Sequence, residues 1–251
     1  MEFVKMEGLG NDFIVVEGSI EPDPADIARW CRRRYGVGAD GVLAVTPQGP
    51  RRVRMRYWNA DGAPAEMCGN GLRCVARLAH DRAWVTDRRF VVETAVGDLP
   101  VVVGEDAVRA FLGTPTGYRT GELRVAERTV HPVGMGNPHA VLFVEDPAVE
   151  DVVGLGERIG TDPIFPDGTN VEFTAVLAPD RLRLRVWERG VGETLACGTG
   201  AAAAAFAAFT AGDVAERVTV ELPGGELVVE LDDEGAWIEG PARTVFVGSV
   251  S

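Results

Sequence analysis

The chain is written twice. Arg52-Val53-Arg54-Met55-Arg56-Tyr57-Trp58 returns as Arg181-Leu182-Arg183-Leu184-Arg185-Val186-Trp187. The same separation of 129 positions carries Cys68-Gly69-Asn70-Gly71 onto Cys197-Gly198-Thr199-Gly200 without a gap. Upstream, Gly8-Leu9-Gly10-Asn11 recurs 126 positions later as Gly134-Met135-Gly136-Asn137. Downstream, Val92-Glu93 and Gly97-Asp98-Leu99 recur 128 positions later as Val220-Glu221 and Gly225-Glu226-Leu227. Blocks that keep one order at almost constant spacing mark a duplicated unit, here about half of the 251 residues. The expectation is two similar domains related by a pseudo-twofold axis: residues 1–115 carrying Cys68 and residues 116–251 carrying Cys197. The division should fall near the turn-rich Gly113-Thr114-Pro115-Thr116-Gly117, with the last strand free to pack back on the first half.

Each half reads in the same order. A β-branched or alternating strand (Val53 to Trp58; Leu182 to Trp187) enters a polar, Gly-rich loop, then Cys-Gly-x-Gly, a helix, and further strands. In the first helix Leu72, Val75, Ala76 and Ala79 form an apolar stripe, and the spacing directs Arg73 and Arg77 to the surface. The second helix, Ala201 to Ala208 with Phe206 and Phe209, is apolar all round, which predicts a buried central helix. Beyond Asp213 the pattern is strand-rich, with Thr244 to Val250 as the last strand. The fold class is therefore α/β, in two pseudo-symmetric domains.

Composition removes several functions. A formal charge of −13 opposes nucleic acid and anionic membrane surfaces. The longest apolar run, Ala201 to Phe209, is far short of the ~20 residues that span a bilayer. Met1-Glu2-Phe3-Val4-Lys5 lacks the pattern of a secretory leader, so the expected location is the cytoplasm. Four scattered cysteines are expected to be reduced thiols, and no Cys/His spacing resembles a zinc site. Lys5 is the only lysine, so no phosphate-binding Gly-Lys-Ser/Thr loop can be written. Pyridoxal chemistry would have to use that one lysine, in an apolar strand. Gly36-Val37-Gly38-Ala39-Asp40-Gly41 matches a dinucleotide-binding string only formally, because a strand follows it where a helix is needed.

What remains is the pair of cysteines. Each stands at the entry to a helix, where unsatisfied N–H groups and the positive end of the dipole favour an anion. Such a position is expected to lower a thiol's pKa, and the flanking glycines let backbone N–H groups approach a carboxylate. A lone Cys-Gly at a helix entry is most simply a packing residue. Two in register, one per half, match a specific chemical need. Inverting an α-carbon without a cofactor means taking a proton from one face and returning one to the other, which two groups of similar pKa on opposite sides can do. Cys31 and Cys74 are expected to be core thiols, and Cys74 is turned away from Cys68 on the helix.

The motifs together resemble the diaminopimelate epimerase family. They are Lys5-Met6-x-Gly8-Leu9-Gly10-Asn11-Asp12-Phe13, Asn59-Ala60-Asp61-Gly62, Cys68-Gly69-Asn70-Gly71-x-Arg73-Cys74, Gly136-Asn137-Pro138-His139 and Asn170-Val171. The longest is Glu188-Arg189-Gly190-x-Gly192-Glu193-Thr194-x-Ala196-Cys197-Gly198-Thr199-Gly200. The resemblance implies a cofactor-independent, metal-free epimerase that interconverts LL- and meso-diaminopimelate, built from two barrel-like sheets each around a central helix, and a homodimer. It implies Cys68 and Cys197 as acid and base, and Asn11, Asn59, Asn137 and Asn170 as substrate contacts. Gly69-Asn70 and Gly198-Thr199 would hold the reacting carboxylate, and Glu188 and Arg189 the distal groups. His139 and Glu188 would tune the cysteines. Glu7 stands where the family often has His, and Gly41 where some members place a substrate-contacting glutamine, so one contact is missing.

Two rivals remain open. A two-cysteine racemase of the proline or hydroxyproline type would use the same thiols, although that type tends to carry His where Asn70 stands and has less use for Glu188-Arg189. A thiol-redox or metal-binding protein would use the cysteines differently. Read alone, Asn11 and Asn137 suit turns after Gly-x-Gly, and His139 suits a structural role.

Overall fold

A computed structural model describes residues 1–117 and 121–250. The chain separates into two compact units, one of Met1–Phe111 with Glu239–Ser251, the other of Leu112–Ile238.

In the first unit the chain runs β1 (Glu2–Gly8), β2 (Asn11–Glu17), α1 (Pro24–Cys31), β3 (Gly41–Pro47), β4 (Arg52–Asn59) and β5 (Pro64–Ala65). It continues with α2 (Gly69–Asp81), β6 (Arg89–Thr94), β7 (Gly97–Val103) and β8 (Val108–Gly113), whose last two residues already belong to the second unit. In the second unit it runs β9 (Thr116–Gly117), β10 (Leu123–Val125), β11 (Arg128–Gly134), β12 (Pro138–Phe143), α3 (Val152–Gly160) and β13 (Asn170–Ala178). There follow β14 (Arg181–Glu188), β15 (Gly192–Thr194), α4 (Gly198–Ala211), β16 (Arg217–Leu222), β17 (Gly225–Leu231) and β18 (Ala236–Gly240), whose last two residues belong to the first unit. The last strand, β19 (Arg243–Ser249), pairs antiparallel with β1 in the first unit.

The pairing order is the same in both units. β1–β2 and β11–β12 are antiparallel hairpins, β2–β3 and β12–β13 are parallel, and β3–β4 and β13–β14 are antiparallel. β4–β6 and β14–β16 are again parallel, and β6–β7 and β16–β17 antiparallel. Parallel neighbours need a long crossover, and in each unit the two crossovers are the helices: α1 and α2 in the first, α3 and α4 in the second. Helix α2 lies against β1, β2, β3, β4 and β7, and α4 against β11 to β14, β16 and β17.

Local chemistry accounts for the elements. Asp23 caps α1 through a bond from the Ala25 N–H with Pro24 in the first turn, and Asp151 caps α3 by accepting from the Gly154 N–H. Gly212, in the left-handed region at φ 83°, closes α4. In the β1–β2 hairpin Leu9 and Gly10 both take positive φ, 57° and 81°, as a tight turn between right-twisted strands demands. The outer crossovers cover matched cores: α1 places Ile27 and Trp30 over Ile14, Val42 and Trp58, and α3 places Val152 and Ile159 over Leu142, Phe173 and Trp187.

The apolar stripe of α2 is buried, but Arg73 beside it is not on the surface as its spacing predicts. It is completely buried, while Arg77 is half-buried. Where strands enclose the helix a long side chain does not reach water, so a cation there must be solvated by the protein. Helix α4 is buried from Ala201 to Ala205 and at Ala208, but its last turn emerges and Phe209 is exposed.

Candidate active site

Both cysteines occupy the residue that caps a helix, with the same extended backbone: φ −142°, ψ 121° at Cys68 before α2 and φ −123°, ψ 114° at Cys197 before α4. The strand–loop–Cys-Gly-x-Gly–helix pattern therefore does place each sulfur at the positive end of a helix dipole. Their surroundings then diverge.

Around Cys68, Asn11 is the organising side chain. Its Oδ1 accepts from Asn70 Nδ2 at 3.1 Å and from the Cys68 Sγ–H at 3.4 Å, and its Nδ2 donates to Asp40 Oδ2 at 2.7 Å. Asp40 Oδ2 also accepts the Asp12 N–H at 3.0 Å. Behind it, Asp12 meets Lys5 at 2.7 Å and Arg33 at 2.8 Å. The buried Lys5 also donates to Gly38 O. Burial pushes the Asp12 carboxyl up, but hydrogen bonds from Arg33 and Lys5 outweigh it and hold the group below the ordinary carboxylate value. The sole lysine is thus committed to a structural ion pair. Asn70 Oδ1 accepts from Arg73 Nη2 at 2.9 Å, so Asn70 is held from both ends. Asn59 is exposed at the end of β4.

Around Cys197, Sγ accepts from the Gly200 N–H at 3.3 Å and lies 3.4 Å from Thr199 Oγ1. Dipole and donors would lower the thiol, but burial pushes it well up, and the carboxylates of Glu188 and Glu172 add to the rise. The helix entry alone is thus a misleading guide to this thiol. Beneath α4, His139 Nδ1 lies 2.6 Å from Glu172 Oε1 and Nε2 lies 2.9 Å from Asn137 Oδ1. Glu172 is fully buried and its carboxyl is pushed up by that burial, against the pull of His139. Glu188 Oε1 accepts the Thr194 hydroxyl. Asn170 Oδ1 accepts the Arg189 N–H at 2.9 Å and its Nδ2 donates to Pro138 O at 3.3 Å, while Arg189 Nη1 donates to Asp167 O at 2.6 Å.

The first unit thus brings Asn11, Gly69 and Asn70 around Cys68. The second brings Gly198 and Thr199 around Cys197, ties Asn137 to His139, and ties Asn170 to Arg189. Glu172 and Asp40 had no place in the sequence reading. The signal for Glu172 is an acid in a strand buried from Asn170 to Ala175, where an unpaired charge is costly. Asp40 carried none beyond its neighbour Gly41. Among the described residues no group of three or more His, Cys, Asp or Glu side chains is placed to hold a metal ion, and no helix is long and apolar enough to cross a membrane.

Comparison with solved structures defines the class by fold. A phenazine biosynthesis protein of the PhzF family from Bacillus anthracis superposes with a TM-score of 0.77 over 100% of this chain and 99% of its own, at 16% identity. A hydroxyproline epimerase from Agrobacterium vitis gives 0.77 over 99% and 91%, at 15% identity. The fold is therefore the mixed α/β architecture these proteins share. Sequence then narrows it. The family model described as diaminopimelate epimerase matches residues 3–118 and 132–245. Proteins named diaminopimelate epimerase from Alkalilimnicola ehrlichii and Desulfitobacterium hafniense are 44% and 41% identical, over 100% and 99% of this chain and 98% and 97% of theirs. The chain belongs to the diaminopimelate epimerase family and is an amino-acid epimerase, an isomerase.

Proposed function

We propose that the chain interconverts LL- and meso-diaminopimelate by two-base proton transfer, supplying precursors of lysine and peptidoglycan. Cys68 and Cys197 are the two bases, and the two duplicated units each deliver one. In either direction one sulfur, as thiolate, removes the Cα proton and becomes a thiol. The other, starting as a thiol, gives its proton to the opposite face of the carbanion and becomes the thiolate. The observation that carries the reading is the recurrence of a cysteine at the same capping position of α2 and α4, in a chain 39–44% identical to proteins named for this reaction.

The remaining assignments belong to the same proposal. Backbone N–H groups at Gly69-Asn70 and Gly198-Thr199 hold the reacting carboxylate, whose negative charge grows as the proton leaves. Asn11, Asn59, Asn137 and Asn170 contact the substrate. Arg189 takes the distal carboxylate, whose geometry its fork matches, and Glu188 the distal ammonium. His139 acts through Glu172 and Asn137, and with Glu188 sets the environment of Cys197. The reading needs no cofactor, and it places the protein in the cytoplasm as a homodimer. The test is Cα deuterium uptake from heavy water across a panel of amino acids. Uptake into both diaminopimelate isomers and not into proline or hydroxyproline is expected. Uptake into the cyclic monocarboxylates alone would overturn the assignment.

A further inference from the structure

The two units share a fold but invert the charge beneath their cysteines. In the first, the guanidinium of Arg73 lies fully buried one turn into α2. Its hydrogen bonds go to neutral acceptors: Asn70 Oδ1 at 2.9 Å, Pro241 O at 3.4 Å and Gly69 O at 3.5 Å. The separation of 129 positions puts Ala202 at the equivalent place in α4. The inversion extends to the strand below. A Cβ added to Gly71 would meet the Leu43 side chain at 3.2 Å, whereas one added to Gly200 would meet Glu172 Oε1 at 2.9 Å. Leu43 and Glu172 are equivalent, each two residues beyond the partner of Phe13 or His139 in the parallel ladder. One helix entry rests on leucine beside a buried cation, the other on a carboxyl group whose same oxygen lies 2.6 Å from His139 Nδ1.

A buried charge with no acid in hydrogen-bond contact costs several kcal/mol, so its retention calls for a reason, and an anion that forms near it is one. We propose that Arg73 holds Cys68 as the resting thiolate of the pair, while the acidic surroundings of Cys197 keep that residue the resting thiol. The inference rests on the reading of these two cysteines as the acid–base pair. It adds Arg73 as a positioning residue that also supplies charge.

At each sulfur some contacts oppose this assignment, and the charged groups outweigh them. Arg73 stays protonated, since arginine does so in proteins even when burial lowers it. The carboxylate of Glu7 favours its cation, as does a thiolate at Cys68. On the other side, Cys197 is pushed up by burial, then by Glu188 and Glu172, against bonds from Thr199 and Gly200. At Cys68 the opposing contact is Asn11 Oδ1, which accepts from the thiol and so favours its protonated form. That contact is long, at 3.4 Å, and the oxygen is shared with Asn70 at 3.1 Å. A buried full charge outweighs a shared neutral acceptor.

Thiolate absorbance in the ultraviolet, followed against pH, tests this without any substrate. The proteins are Cys197→Ala, which reports on Cys68, and Cys68→Ala, which reports on Cys197. Cys31 and Cys74, pushed up to about 11 and about 12 by burial, are changed to Ala in both proteins so that neither overlaps a raised Cys197. The Cys68 midpoint is expected at least one pH unit below that of Cys197, about tenfold in the ratio of thiolate to thiol. Arg73→Met, added to Cys197→Ala, should raise the Cys68 midpoint, Arg73→Lys should restore much of the fall, and Glu172→Gln should lower the Cys197 midpoint. Coincident or reversed midpoints in the two single-cysteine proteins would overturn the proposal whether or not the Arg73 variants fold. So would a Cys68 midpoint unmoved in a folded Arg73→Met protein. Epimerisation by the unmodified enzyme tests the underlying reading separately, so the two can fail independently.

Discussion

Asp40 makes no contact with either sulfur, yet it decides how Asn11 presents its amide. Its Oδ2 takes the Asn11 Nδ2–H at 2.7 Å, which turns Asn11 Oδ1 toward Cys68 and Asn70. In Asp40→Ala that bond is lost together with those from the Asp12 N–H and from Arg33 Nη2 to Asp40 Oδ1 at 2.5 Å, while Arg33 keeps Asp12 at 2.8 Å. A hydrogen bond to a charged group contributes about 1.5–3 kcal/mol. The Asp40 side chain is 37% exposed, so water replaces part of the interaction, and about 1–2 kcal/mol is a fairer figure for releasing Asn11. At 1.36 kcal/mol per factor of ten, kcat/KM should fall about 5- to 30-fold. Asp40→Asn keeps an acceptor of the same shape and should lose only a few-fold. The assay is the initial rate of Cα deuterium uptake from each diaminopimelate isomer, with circular dichroism as a check on folding. A folded Asp40→Ala protein with unchanged kcat/KM, beside an Asn11→Ala protein that is strongly impaired, would refute the argument that Asp40 orients Asn11.

Three further outcomes follow from packing and charge. A Cβ on Gly160 would run into the Trp187 ring, so Gly160→Ala should cost about 1–3 kcal/mol of stability and lower the denaturation midpoint; an unchanged midpoint would show that α3 shifts freely. Asp12 has its carboxyl held down in the folded protein. Its contribution is full above the unfolded value of about 4 and is lost as pH falls through the lower folded value. Asp12→Asn should therefore be less stable than the parent at pH 7 and should converge with it in acid; a constant gap through acid unfolding would contradict this. Finally, Cys31 and Cys74, with thiols at about 11 and about 12, should escape alkylation at pH 8 in the native protein, as mass mapping would reveal.

The repeat made much of this molecule legible before any coordinates. Blocks in register placed both cysteines at helix entries, and the ladders of the two units repeat strand for strand. Hydropathy also picked out the buried stripe of α2. It failed at Arg73 because periodicity treats an arginine as outward-facing, whereas the three acceptors that hold it lie at Gly69, Asn70 and Pro241, the last of them 168 positions away. The network behind Asn11 was hidden for the same reason: Lys5, Asp12, Arg33 and Asp40 are scattered in sequence and meet only through the parallel pairing of β2 with β3 and the return of the chain after α1. At Cys197 the local rule was sound but incomplete. A helix start favours a thiolate, and burial beside two acids opposes it. Long-range burial is the quantity that a local motif does not carry.

The central claim, that one sulfur removes a proton and a different sulfur returns one, is tested most directly by the first turnovers in heavy water. Starting from either isomer as the protonated compound, the first product formed should carry deuterium at the inverted Cα while the unreacted substrate remains unlabelled, because the returning proton comes from a second group already exchanged with solvent. Product that keeps the substrate's own hydrogen, or substrate that gains label before product appears, would show a single base at work and contradict the account.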